Sequence, residues 1–149
     1  GPLLLFVGRL RYYKGVNYLI DALRDVAATL LVVGSGPMEV EWRRQAAAAP
    51  WAERVAFVGE APDEDLPAYY RAADVFVLPA CERSEAFGTV QIEAMAAGTA
   101  IVCSDIHGYK GVVKRDEQAL LVPPGDHRLL AKAILRLRAK LSNIKKGIL

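Results

Sequence analysis

Two acids and two cations stand out for their spacing. Glu85 and Glu93 are separated by seven residues, and Arg9 and Lys14 flank the short segment 8–15. Two cations at the entry to a helix suit a phosphate or diphosphate; the alternative is a pair of solvated surface charges. Gly88 falls at the start of a predicted helix over Phe87–Ala97, where a backbone without a side chain lets a ligand approach closely. Free N–H groups near Phe87, Gly88 and Thr89 would then form an anion site. If both carboxylates were helical, a rise of about 1.5 Å per residue would part their Cα atoms by roughly 12 Å. The carboxyl groups of glycosidases lie about 5–9.5 Å apart, so a paired acid and base fits poorly. Two carboxylates gripping the two hydroxyl-bearing ends of one long ligand, with its phosphates between them, fit better. A carboxylate accepts both hydrogen bonds from a vicinal diol such as a ribose. For this pair alone, a helix-start charge at Glu85 and a solvated Glu93 remain the alternative.

Other chemistries find little support. The loop Gly34-Ser35-Gly36-Pro37 lacks the third glycine of a dinucleotide fingerprint, because Glu39 stands there, and Pro37 restricts it. No G-x-x-x-x-G-K-[ST] segment is present. Cys81 and Cys103 sit beside apolar runs and read as buried reduced thiols. With His107 and His127 they show no zinc-ligand spacing, and no metal site is expected.

The elements that must position these residues are legible as apolar runs. Leu3–Val7, Leu30–Val33, Val55–Val58, Val75–Leu78, Ala100–Cys103 and Ala119–Val122 lack in/out alternation, as strands buried on both faces do. Each is followed at once by a turn or breaker: Gly8, Gly34, Gly59, Pro79, Ser104-Asp105 or Pro123-Pro124-Gly125. Helical spacing lies between them. Val16, Leu19, Ile20 and Leu23 share a face, Met38–Ala48 follows Pro37, and Asp63 is expected to cap a helix through Tyr69-Tyr70. Phe87–Ala97 carries Val90, Ala94 and Ala97 on one face; Asp126 is expected to cap a last helix burying Leu130, Ile134, Leu137 and Leu141. Buried strands alternating with helices predict an α/β domain with a doubly wound, mostly parallel six-stranded sheet, Rossmann-like. In that class ligands bind outside the carboxyl ends of the strands.

Composition agrees with one folded domain over 1–149. Of the 149 residues 53% are hydrophobic and 24% charged, with a formal net charge of +2. No apolar run approaches the ~20 residues needed to span a bilayer. No basic segment followed by an apolar stretch opens the sequence, so a secretory leader is not expected and a cytoplasmic location is. From Arg128 to Leu149 there are seven Lys/Arg and no acid, so residues 1–127 are net negative. Arg128, Lys132, Arg136 and Lys140 form one ridge of the last helix. That ridge is either a solvated basic face, a contact for anionic lipid at a membrane face, or a surface for a missing part of a longer chain. It lacks the broad basic face with aromatics of a nucleic-acid binder. Residues 142–149 have little to bury and are expected to fray.

Five motifs in register carry a resemblance: G-R-L-x-x-x-K-G, V-V-G-S-G-P, V-x-F-x-G, A-D-V-F-V-L-P and S-E-A-F-G-x-x-x-x-E-A-M-A-x-G. In this order they resemble the C-terminal half of retaining glycosyltransferases of the GT-B fold, most of all the large family 4 (glycosyl transferases group 1), from about Leu3 to Leu137. The resemblance implies a Rossmann-like half of a GT-B fold that binds a nucleotide-diphosphate sugar, in a metal-independent hexosyltransferase that needs no cofactor. It implies that Arg9 and Lys14, with Gly8 beside them, hold the donor diphosphate and stabilise the leaving charge. Glu85 would lie near the transferred sugar as a catalytic-site residue, and Ala86, Phe87 and Gly88 would meet sugar and phosphate. By the same resemblance Glu93 holds the ribose diol, Val58 and Gly59 neighbour the base, and Val90 lines the ribose and base pocket. Ala80 and Ala100 depart from the family's frequent serine and proline. An N-terminal acceptor domain is expected to be missing from the chain, which alone would not complete sugar transfer. A sugar-nucleotide epimerase, a glycan phosphorylase (for whose pyridoxal-phosphate lysine there is no context) and a non-enzymatic nucleotide-binding module are the competing readings.

Overall fold

The computed structural model describes residues 1–80, 98–104 and 119–145. Its strands are β1 (Leu3–Val7), β2 (Thr29–Val33), β3 (Val55–Gly59), β4 (Val75–Leu78), β5 (Ala100–Ser104) and β6 (Ala119–Val122). Its helices are α1 (Val16–Ala22), α2 (Glu39–Ala48), α3 (Leu66–Ala72) and α4 (His127–Lys145). The strands lie side by side in the order β3-β2-β1-β4-β5-β6. Every neighbouring pair is parallel. The expected parallel α/β architecture is therefore present. The chain steps outward from β1 to β3, then returns to lay β4 against the other side of β1. Right-handed crossovers then place α3 on the opposite face from α1 and α2.

The central strands are as dry as their sequences require. Leu4, Leu5 and Phe6 are consecutive and fully buried, so both faces of β1 are covered. All of β4 is buried. The edge strand β3 differs from expectation, with half-buried and exposed residues alternating along it. It has β2 on one side only. Phe57 packs toward the core, with the Arg43 guanidinium 4.9 Å from its ring centroid, while Ala56 and Val58 face outward.

The predicted face of α1 is the observed one, since Val16, Leu19, Ile20 and Leu23 are all buried. Helix α2 begins at Glu39, one residue later than expected, and buries Trp42 and Ala46. The Arg54 side chain closes the link from α1 to β2 by donating to the carbonyls of Leu23, Val26 and Ala28 at 3.0, 2.7 and 3.1 Å.

Asp63 does not cap α3. It opens a 3-10 turn over Asp63–Asp65 without a side-chain capping bond, and the α-helix starts at Leu66. Pro67 explains the shift: a helix capped at Asp63 would require an N–H from residue 67 to reach the carbonyl of residue 63, and proline has none. Starting at Leu66 leaves Pro67 in the first turn, where no donor is needed.

Asp126 caps α4 as expected. Its Oδ1 accepts from the backbone N–H groups of Arg128 and Leu129, both at 3.0 Å. Leu130, Ile134 and Leu137 are buried, and α4 packs on α1, β5 and β6. Arg128, Lys132 and Arg136 are exposed. The helix includes residues 142–145, the first part of the segment expected to fray. Cys103 is buried on β5, while Cys81, His107 and the predicted helix Phe87–Ala97 lie outside the described residues.

Candidate functional site

The strand order reverses between β1 and β4, and in such sheets the loops at the carboxyl ends near the reversal form the ligand crevice. Backbone contacts lock these loops together. The N–H of Gly8 donates to Val33 O at 3.0 Å, Leu10 N–H to Ser35 O at 2.9 Å, and Gly34 N–H to Gly59 O at 2.7 Å. The loops after β1, β2 and β3 thus share one hydrogen-bonded frame.

Two glycines permit this approach. Gly34 has φ 136°, and a side chain there would strike the carbonyl of Gly8. A Cβ on Gly36 would lie 2.7 Å from both N and O of Leu10. The glycines of the Gly34-Ser35-Gly36-Pro37 loop therefore let it pack closely on the loop after β1. Gly15 does the same across the reversal: it has φ 77°, starts α1, and packs its backbone against the carbonyl of Pro79 after β4.

A cleft of about 360 Å³ opens above this frame. Val7, Gly8 and Arg9 line it from β1, Val33, Gly34 and Ser35 from β2, and Glu60, Ala61, Asp63 and Leu66 from the chain after β3. Arg9 is exposed at its mouth. Lys14 sits further along the same loop, at the end of the 3-10 turn Tyr12–Lys14, with Nζ 5.6 Å from the Tyr13 ring centroid. The Tyr13 ring meets Tyr12 edge to face at 5.5 Å.

Of the site residues predicted from sequence, Gly8 and Arg9 line the cleft and Lys14 follows in their loop. Val58 lies on β3 and is 40% exposed; Gly59 ends that strand with φ 83° and accepts from Gly34. Glu85, Ala86, Phe87, Gly88, Val90 and Glu93 lie outside the described residues. Sequence reasoning did not single out Ser35, Glu60 or Asp63 as lining residues. Ser35 Oγ–H donates to Glu60 Oε1 at 2.8 Å, joining the loops after β2 and β3 across the cleft. The available signal was position: both loops follow a strand's carboxyl end. Among the described residues no group of three His, Cys, Asp or Glu side chains converges as a metal site. No helix among them is long and apolar enough to cross a membrane.

A parallel sheet with this order defines a Rossmann-like α/β domain, and the cleft at its carboxyl edge, with a guanidinium and two carboxylates, is its candidate site. The chain belongs to the glycosyl transferases group 1 family, whose model matches residues 1–141. It is 39% identical over 143 residues to the phosphatidyl-myo-inositol mannosyltransferase of Mycobacterium leprae, covering 92% of this chain and 37% of that protein. Among solved structures, sucrose-phosphate synthase from Thermosynechococcus elongatus superposes with a TM-score of 0.83 at 40% identity, over 93% of this chain and 36% of that one. HepE of Anabaena, solved in complex with UDP-glucose, gives a TM-score of 0.85 at 26% identity, over 94% of this chain and 40% of that one. The chain thus spans little more than a third of the length of these relatives.

Proposed function

We propose that the chain is the donor-binding half of a retaining GT-B glycosyltransferase of family 4, a hexosyltransferase that takes its sugar from a nucleotide diphosphate. The observation that carries this reading is the cleft at the carboxyl edge with Arg9 at its mouth, in a chain of this family. The UDP-glucose complex of HepE supports it. Arg9 and Lys14 hold the diphosphate and stabilise the charge that builds on it as the bond to the sugar breaks. Glu85 lies beside the transferred sugar, with Ala86, Phe87 and Gly88 supplying backbone contacts, Glu93 holding the ribose diol and Val90 lining its pocket. The two cations replace the metal that other transferases use, and no cofactor enters. An N-terminal acceptor half belongs to the full-length polypeptide, which works in the cytoplasm, and the basic face of α4 offers that polypeptide a contact with anionic lipid.

The test is thermal stability of the chain with UDP, GDP, ADP and their sugar conjugates. A ligand at 100 times its Kd adds about 2.7 kcal/mol of stability. We expect a shift with one base, lost in both Arg9→Ala and Glu93→Ala. Absence of any shift at millimolar ligand, in the chain and also in the full-length protein, rejects the donor-site reading.

A further inference from the structure

The cleft is electrostatically divided, and the division says what each end can hold. Arg9 follows β1, whereas Glu60 and Asp63 follow β3. Strand β2 lies between them, so the two ends are about 10 Å apart, twice the strand spacing. A diphosphate at the Arg9 end is attracted; at the other end it would face two carboxylates and be repelled. The group seated by Glu60 and Asp63 must not be anionic and must offer N–H or O–H donors, because an ionised carboxylate only accepts; of the parts of a nucleotide diphosphate, that leaves the base.

Resting on the donor reading above, we propose that this end of the cleft reads the base and selects guanine, with Glu60 and Asp63 as the specificity-determining acceptors. Guanine presents two adjacent donors on one edge, N1–H and the 2-amino group, which match the two oxygens of one carboxylate. Uracil presents a single N–H between two carbonyl oxygens, and both oxygens face repulsion from an acid. Adenine and cytosine pair one amino donor with a ring-nitrogen acceptor, which leaves half of the carboxylate opposed. The Ser35 hydroxyl donating to Glu60 Oε1 at 2.8 Å restrains that acid across the cleft, so its orientation is set before a ligand arrives. Asp63, at the start of a 3-10 turn, is carried by backbone of defined geometry.

Calorimetric titration of the chain with GDP, UDP and inorganic diphosphate tests this, using the parent and the Glu60→Gln, Asp63→Asn and Arg9→Ala variants. GDP should bind at least about tenfold more tightly than UDP, the discrimination expected of one good bidentate contact. At least one of the two amide variants should reduce that ratio about tenfold, since an amide sets a donor against guanine and offers uracil a matching pair. Inorganic diphosphate should bind the amide variants as it binds the parent, and Arg9→Ala should weaken all three ligands. Both acids are exposed, so unliganded melting temperatures should be unchanged and serve as the folding control. UDP binding as tightly as GDP, or a ratio unmoved by both amides, overturns the guanine assignment. If that occurs while Arg9→Ala still weakens binding, the donor reading stands. Failure of every nucleotide to bind, to the chain and also to the full-length protein, overturns both.

Discussion

Gly34 shows how a single missing side chain builds the cleft. Its φ of 136° is closed to other residues, and any Cβ would meet the Gly8 carbonyl, which is backbone and cannot swing away. Gly59 also has a positive φ, 83°, but open space surrounds it. Alanine at 59 should therefore cost about 1–2 kcal/mol, the left-handed penalty alone. Alanine at 34 should cost about 2–4 kcal/mol, because strain and collision add. On the proposed reading it should also weaken nucleotide binding by displacing Arg9's loop. Urea unfolding of the two variants measures the first difference, and equal costs would mean that the loops do not interlock as tightly as their 2.7 Å bond from Gly34 N to Gly59 O indicates. Little of this was visible in the sequence. V-V-G-S-G-P reads as a strand followed by a turn, and only the neighbouring loop explains why residues 34 and 36 must both be glycine. Ser35 and Glu60 are 25 positions apart, and nothing local to either reports that they touch.

At the level of helices and strands, the sequence was more informative, because period and breakers are local properties. Consecutive apolar residues announced β1 and β4, and the Val16, Leu19, Ile20, Leu23 face announced α1. Two elements departed from their pattern for identifiable reasons. Strand β3 looked doubly buried because Val55–Val58 is apolar, yet its place at the sheet edge exposes alternate residues. Edge position depends on strand order, which no run of residues encodes. Helix α3 starts later than a cap at Asp63 predicts, because Pro67, four residues on, has no N–H to give the Asp63 carbonyl. Asp126 has no such competitor and caps α4 with two bonds at 3.0 Å. Asp126→Ala should cost about 1 kcal/mol, and Asp126→Asn only a small part of that, since asparagine retains an acceptor oxygen. By contrast Asp63→Ala should leave stability within about 0.5 kcal/mol of the parent, as for a surface residue outside such features. A Tm drop for Asp63→Ala matching that of Asp126→Ala would show that the 3-10 turn is capped after all.

On the proposed reading the molecule as a whole presents one sheet edge to its ligand, and that geometry bears on what it achieves alone. Group transfer needs an acceptor hydroxyl held about 3–3.5 Å from the reacting carbon and water kept away from it. Among the described residues, the cleft draws its walls from the carboxyl ends of β1 and β2 and from the chain after β3 as far as Leu66. The relatives it matches are about two and a half times as long, since the chain covers 37% of the mannosyltransferase and 36% of the sucrose-phosphate synthase chain. On the proposed reading, the remainder supplies the facing wall and the acceptor. The chain by itself should then bind the nucleotide sugar and transfer nothing, with bound donor persisting on the timescale of its slow hydrolysis in water. The full-length polypeptide should transfer the sugar and preserve its anomeric configuration, which proton NMR of the first product reads directly from the anomeric coupling. Inverted product would remove the retaining assignment while leaving donor binding intact. Turnover by the 149-residue chain on an added acceptor would show instead that one sheet edge suffices to orient both substrates.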